Sequence, residues 1–195
     1  MIDQFRLIAL TMMCFVCILF FIWHRSRRPL LILDMNNVLV CRAFVPTQAE
    51  EQPETVPYNV YATTLGGGRF HTWKRPNLDA FIQRCFAKYT VAVWTSAQRE
   101  NANDLVDFVF GEDRKKLLFV WDQSHCEAVE GSKKPLFKKQ LARVWASYTQ
   151  YNETNTYIVD DSADKVRDNP PRTWIRINPW TVTNQNDEEL ESLLH

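Results

Sequence analysis

Three apolar runs of strand length in this chain end in residues able to handle phosphate or a metal ion. Leu30-Leu31-Ile32-Leu33 runs into Asp34, Thr90-Val91-Ala92-Val93-Trp94 into Thr95-Ser96, and Thr156-Tyr157-Ile158-Val159 into Asp160-Asp161. Four or five consecutive apolar residues suit a strand buried on both faces, as in a parallel sheet. From Arg75 onward, strand and helix patterns alternate. Leu78, Phe81, Ile82 and Cys85 recur at helical spacing, as do Ala102, Leu105, Val106 and Val109, the second series ending near Gly111. Leu117–Trp121 and Trp174–Ile177 supply two further strands, while the spacing predicts helices over Leu136–Trp145 and Asp187–Leu194. This alternation predicts an α/β fold with a parallel central sheet covered on both faces. Ahead of it, Tyr58–Thr64 and Arg69–Lys74 flank Gly66-Gly67-Gly68 and predict a β-hairpin inserted after the first strand. The stretch from Val45 to Pro57, with three prolines and three glutamates, is expected to be a surface loop.

The chain has 195 residues, enough for one such domain, and its 23 basic residues balance 23 acidic ones. A balanced charge gives no global field to gather nucleic acid, and no basic stripe suggests one locally. The five cysteines are scattered, with Cys14 and Cys17 in an apolar run, so reduced thiols are expected rather than a disulfide framework.

Residues Leu7 to Trp23 carry no charge, and Arg25, Arg27 and Arg28 come directly after them. About 17 residues at ~1.5 Å rise reach ~25 Å, the short end of a bilayer span. The arginine flank places the C-terminal remainder of the chain on the cytosolic side by the positive-inside rule. The expected organisation is a tail (1–6), a transmembrane anchor (7–23), a basic flank (24–29), a domain (30–181) and a C-terminal helix or tail (182–195).

Chemistry in a parallel sheet gathers at the C-terminal ends of the strands. Carboxylates at two such ends, a hydroxyl at a third and a lysine ahead of the fourth strand are what aspartyl phosphoryl transfer requires. One carboxylate attacks phosphorus, another helps hold a divalent ion, and hydroxyl and ammonium neutralise the phosphoryl oxygens. The lysine pair Lys133-Lys134 is the candidate ahead of the fourth strand. By contrast, Lys138-Lys139 is expected on a solvated helix face, and His71 and His125 at the surface.

With Asp34-Met35-Asn36-Asn37-Val38-Leu39, Arg75-Pro76-Asn77, Val93-Trp94-Thr95, Lys134-Pro135-Leu136, Asp160-Asp161-Ser162 and Asn169-Pro170 in this order, the chain resembles a known family. That family is the small C-terminal-domain phosphatases of the haloacid dehalogenase superfamily, also called NLI-interacting factors. The likeness runs from about Pro29 to Trp180. It implies a Rossmann-like three-layer fold, with the five strands in the order 5-4-1-2-3. It implies Asp34 as nucleophile, with Mg2+ held by Asp34, Asp161 and Asp160 and by the backbone carbonyl of Asn36. It also implies that Thr95 and Lys134 bind the phosphoryl group, with Arg75 and Ser96 on the substrate side.

The chain departs from the family at Asn36, where an aspartate normally protonates the leaving oxygen. An amide cannot transfer that proton, and loss of a positioned general acid costs about 10²–10⁴-fold, or roughly 3–5 kcal/mol of barrier. Val38 likewise stands where the family has a threonine. The expected function is therefore a Mg2+-dependent protein phosphatase with impaired or redirected activity, acting on a protein segment near a membrane. An anchor joined to such a domain resembles the Dullard-type proteins of the endoplasmic reticulum and nuclear envelope. The alternatives are a pseudophosphatase that binds phosphorylated or unmodified segments, and a part of mitochondrial inner-membrane import resembling the translocase presequence receptor.

Overall fold

The computed structural model describes residues 28–44, 63–129 and 135–193. The proposed anchor at 7–23, its tail and most of its basic flank, the loop from Val45 to Pro57 and the Lys133-Lys134 pair lie outside these residues. Among the described residues no helix is long and apolar enough to cross a membrane.

The main sheet has five parallel strands, β1 (Leu30–Leu33), β5 (Thr90–Trp94), β6 (Val120–Trp121), β9 (Thr156–Asp160) and β10 (Trp174–Arg176), in the order β10-β9-β1-β5-β6. β1 lies at the centre with every residue buried, because it faces a layer of helices on each side. Its alternation separates the two layers. Leu31 and Leu33 join Val91, Val93 and Val159 on one face, against helix α1 (Leu78–Lys88) and helix α2 (Arg99–Phe110). Leu30 and Ile32 join Ala92, Trp94 and Ile158 on the other, against helix α3 (Leu141–Ser147) and helix α4 (Ala163–Val166). All eight apolar residues expected on α1 and α2 are buried. The C-terminal helix α5 (Glu189–Ser192) adds Leu190 to the first face and is shorter than the Asp187–Leu194 pattern.

The insertion after β1 is a three-stranded antiparallel sheet rather than a simple hairpin. β4 (Phe70–Lys74) pairs with β3 (Thr63–Leu65) as expected, and also with β2 (Val40–Phe44), which the sequence pattern does not reveal. The glycine turn between β3 and β4 has positive φ at all three glycines. At Gly66 a side chain would also meet Phe70 and Asn101 at 2.9 Å, and its N–H is held by Asp104 of α2 at 3.0 Å.

The expected helix over Leu136–Trp145 is corrected. Leu136–Lys138 forms a strand, β8, paired antiparallel with β7 (Glu127–Val129), and the helix starts only at Leu141. Leu136, Phe137, Leu141 and Val144 have spacing compatible with one helix, yet antiparallel pairing with the preceding segment Glu127–Val129 wins over the local period. The chain thus breaks at Lys139-Gln140, and this break feeds a lysine into the site.

Candidate active site

Asp34 follows β1 directly, and Asp160 is the last residue of its neighbour β9. The strands run parallel with Leu33 beside Val159, and the Asp34 N–H bonds the Val159 carbonyl at 3.0 Å. Both carboxyl groups therefore leave the sheet at the same edge, where the strand order switches direction around β1. With Asp161 they form the one group of possible metal ligands found among the described residues, their donor oxygens all within 4.8 Å of one another.

Three acids this close need counter-charge, and two lysines supply it. Lys139 is fully buried, its ammonium 3.1 Å from Asp34 Oδ1 and 2.6 Å from Asp160 Oδ2. Lys165, on the first turn of α4, lies 2.9 Å from Asp34 Oδ2 and 3.8 Å from both Asp160 Oδ1 and Asp161 Oδ1. Burial alone would raise the Asp34 pKa, but the charges of Lys139 and Lys165, with hydrogen bonds from Lys165 and the Met35 N–H, outweigh it and hold the group at about 2. Asp160 goes the other way. Burial lifts it most, Lys139 pulls it down and Asp34 adds to the rise, leaving it at about 6.

Asn169 explains how Lys139 is held. Its side-chain amide donates to the Lys139 carbonyl at 2.7 Å, and its oxygen accepts from the Leu141 N–H at 2.7 Å, capping α3. The Lys139 N–H in turn bonds the Lys165 carbonyl at 2.8 Å, so the two lysine-bearing segments are joined through their backbones.

The loop after Asp34 turns sharply, with Leu39 and Val40 N–H groups both returning to the Met35 carbonyl. Asn36 sits here with its side-chain oxygen buried and without a hydrogen-bond partner. Its neighbour Asn37, in the left-handed region at φ 62°, reaches Asp161 Oδ2 at 3.3 Å. Val38 is fully buried in the core, so the side chain that replaces the family's threonine serves packing. Thr95, at the end of β5, is also buried, and its hydroxyl accepts from the Ala97 N–H at 3.2 Å, which leaves its own proton free to donate. Ser96 beside it is partly exposed. Beyond this strand end opens a cleft of about 520 Å³ lined by Arg99, Asp122, Gln123, Ser124, Cys126 and Phe137, with Cys126 Sγ 4.0 Å from the Thr95 carbonyl.

Two expectations change. Arg75 is not a substrate-facing residue: all five of its N–H groups are taken, by Asp187 twice, by Glu189 and by the carbonyls of Val38 and Asn178. The Lys138-Lys139 pair is not a solvated helix face, since Lys139 lies at the centre of the site. Lys134 lies outside the described residues. Lys139 stands shortly before the observed helix start, as Lys134 does before the expected one, and Lys165 falls one helical turn past Asp161. His71 lies near Trp73 and His125 stacks on Trp121, and neither joins the carboxylate group.

A model of NLI interacting factor-like phosphatases matches residues 29–195. An uncharacterized FCP1 homology domain-containing protein of Schizosaccharomyces pombe is 29% identical over 159 residues, covering 74% of this chain and 59% of that protein. A putative CTD phosphatase-like protein of Invertebrate iridescent virus 3 is 24% identical over 180 residues, covering 86% and 94%. Among solved structures, the fission yeast RNA polymerase II CTD phosphatase Fcp1 bound to beryllium fluoride shares the fold. Its TM-score is 0.58 at 19% identity, over 86% of this chain and 49% of that one. The chain thus spans about three fifths of the first relative and half of the Fcp1 chain.

Proposed function

The chain belongs to the NLI interacting factor-like phosphatase family, and on that premise we propose that it is a Mg2+-dependent phosphatase of the aspartyl-phosphate type, weakened at the general-acid step. The observation that carries this reading is the convergence of Asp34, Asp160 and Asp161 on one edge of the sheet, their charge partly offset by Lys139 and Lys165.

The donor set suits a hard divalent ion, being all carboxylate oxygen, and Asp161 Oδ1 is buried without a hydrogen-bond partner. Asp34 and Asp161 would hold Mg2+, with Asp160 beside them and the Asn36 carbonyl as a further oxygen. When bound, the ion supplies positive charge against the phosphoryl oxygens. Asp34, kept ionised by its two lysines, attacks phosphorus through a carboxylate oxygen. The bond to the leaving oxygen breaks and that oxygen departs with the electron pair. Thr95 offers its free hydroxyl proton to the phosphoryl group, while Lys139, buried between Asp34 and Asp160, helps keep the nucleophile ionised. Water then attacks phosphorus and gives up a proton to solvent, and the bond from phosphorus to the Asp34 oxygen breaks to release the carboxylate.

Asn36 cannot protonate the departing oxygen, so the proton comes from solvent. Serine alkoxide suffers most from this and phenolate least, which directs residual activity to aryl or acyl phosphates. The open cleft beside Thr95 favours a protein segment as substrate. The apolar run Leu7–Trp23 and its arginines favour an anchored domain facing the cytosol, at the endoplasmic reticulum or nuclear envelope.

The test is hydrolysis of an aryl phosphate and a phosphoserine peptide by the chain with Mg2+, beside Asn36→Asp and Asp34→Asn. We expect slow aryl phosphate turnover, a gain on the order of 10²-fold or more on phosphoserine in Asn36→Asp, and loss of both activities in Asp34→Asn. No activity in either the wild type or Asn36→Asp would leave a phosphosegment-binding pseudophosphatase as the function.

A further inference from the structure

The two lysines of the site hold its carboxylates by different oxygens. Lys139 takes Asp34 Oδ1 and Asp160 Oδ2, while Lys165 takes Asp34 Oδ2 and lies 3.8 Å from Asp160 Oδ1 and Asp161 Oδ1. Lys139 is sealed inside, with no exposed surface and a backbone clamped by Asn169. Its oxygens are committed. The oxygens left for a metal ion are those facing Lys165, whose ammonium bonds Asp34 Oδ2 and lies within ion-pair reach of one oxygen each of Asp160 and Asp161. Unlike Lys139, Lys165 keeps 19% of its side chain exposed and hangs on a flexible four-carbon stem from the first turn of α4. It can leave without disturbing the core.

We propose that Lys165 is the site's tethered counter-ion: it occupies the carboxylate oxygens that Mg2+ would use, competes with the ion for them, and so sets the metal affinity. The inference rests on the metal-dependent reading above and adds a residue that controls it. Charge supports the competition. Three ionised acids, one ammonium and a dication sum to zero, whereas keeping Lys165 in place leaves an excess positive charge within about 4 Å of the ion, an unfavourable contact in a partly buried site. A displaced Lys165 remains at the mouth of the site, where a phosphoryl dianion gives it a new partner.

The experiment titrates Mg2+ into the full chain by calorimetry, with Lys165→Met, Lys165→Arg and Asp161→Asn alongside and folding checked by thermal melts in chelator. Lys165→Met is expected to bind Mg2+ on the order of tenfold more tightly than wild type, Lys165→Arg to stay near wild type because it keeps the charge, and Asp161→Asn to lose binding. A measurement that needs no variant follows acylation of Lys165 by mass spectrometry: saturating Mg2+ is expected to speed it severalfold by releasing the amine. If wild type binds Mg2+ but Lys165→Met binds no more tightly, or acylation of Lys165 does not respond, the competition is refuted while the metal site stands. If neither wild type nor Lys165→Met binds Mg2+, the metal-dependent reading itself is lost, and this inference with it.

Discussion

At the scale of single residues, Lys139 carries the largest consequence. It is buried between Asp34 and Asp160, and removing it leaves two carboxylates side by side in the interior with only Lys165 to answer them. Breaking a buried pair in this way costs about 3–5 kcal/mol, so Lys139→Met should lower stability by that amount in chelator. Denaturant unfolding measures it, and a loss below ~1 kcal/mol would mean the lysine is not the counter-charge the geometry implies. Neutralising one acid as well, in Lys139→Met with Asp160→Asn, should recover part of the loss. Asp122 gives a pH test away from the carboxylate cluster. Burial would raise its pKa, but hydrogen bonds from Ser124 and Arg99 hold it at about 2 against an ordinary 3.8. A depressed carboxylate stabilises the fold above its unfolded pKa, and that contribution is lost as pH falls through the folded value. Stability of the wild type should therefore decline between about pH 4 and 2 more steeply than that of Asp122→Asn. The acids of the site were legible in the sequence because a strand end fixes where they emerge. Its cations were less so, because nothing local distinguishes Lys139 from Lys138 beside it, although the two differ completely in burial.

At the scale of elements, the three central strands β1, β5 and β9 and the helices α1 and α2 could be read from apolar period alone, since each buries a nearly continuous run or a full stripe. β2, β7 and β8 could not, being short strands defined by their pairing, β2 with a segment far along the chain and β7 and β8 with each other. Arg75 belongs to this non-local class. The family resemblance implied substrate contact, but whether its five donors face a ligand or a carboxylate depends on where the C-terminal segment folds back. It folds back onto Arg75, which ties Asp187 and Glu189 to the Val38 carbonyl of the loop after Asp34. Arg75→Ala would deprive two acids and two carbonyls of their shared donor, at a cost of about 3–5 kcal/mol. The effect should concentrate in the C-terminal segment, so hydrogen exchange in residues 178–193 should rise more than in β1 or β5. Uniform loosening of all strands would show that the clamp is not local. Arg75→Lys should restore little, because a point charge cannot reproduce the bidentate contact with Asp187.

At the scale of the whole molecule, the question is which compartment the domain faces, and one exposed turn can answer it. Arg28 is committed to the domain, its guanidinium donating to the Phe86 carbonyl at 2.9 Å near the end of α1, so β1 begins immediately after the basic flank. On the proposed anchored orientation, Arg25 and Arg27 of that flank would favour the cytosolic leaflet. Between α3 and β9 lies Asn152-Glu153-Thr154, a glycosylation sequon on an exposed turn. The Asn152 side-chain oxygen accepts from the Thr154 N–H and hydroxyl at 2.8 and 2.7 Å. Nothing buries this acceptor, so in a lumen it would be open to modification. For a cytosol-facing domain we expect no glycan: the expressed protein should show no mobility change with endoglycosidase, and protease added to intact microsomes should degrade the domain. A shift abolished by Asn152→Gln would place the domain in the lumen and overturn the cytosolic orientation. An unglycosylated domain protected from protease inside intact mitochondria would instead favour the inner-membrane alternative, so the two readouts together separate all three placements.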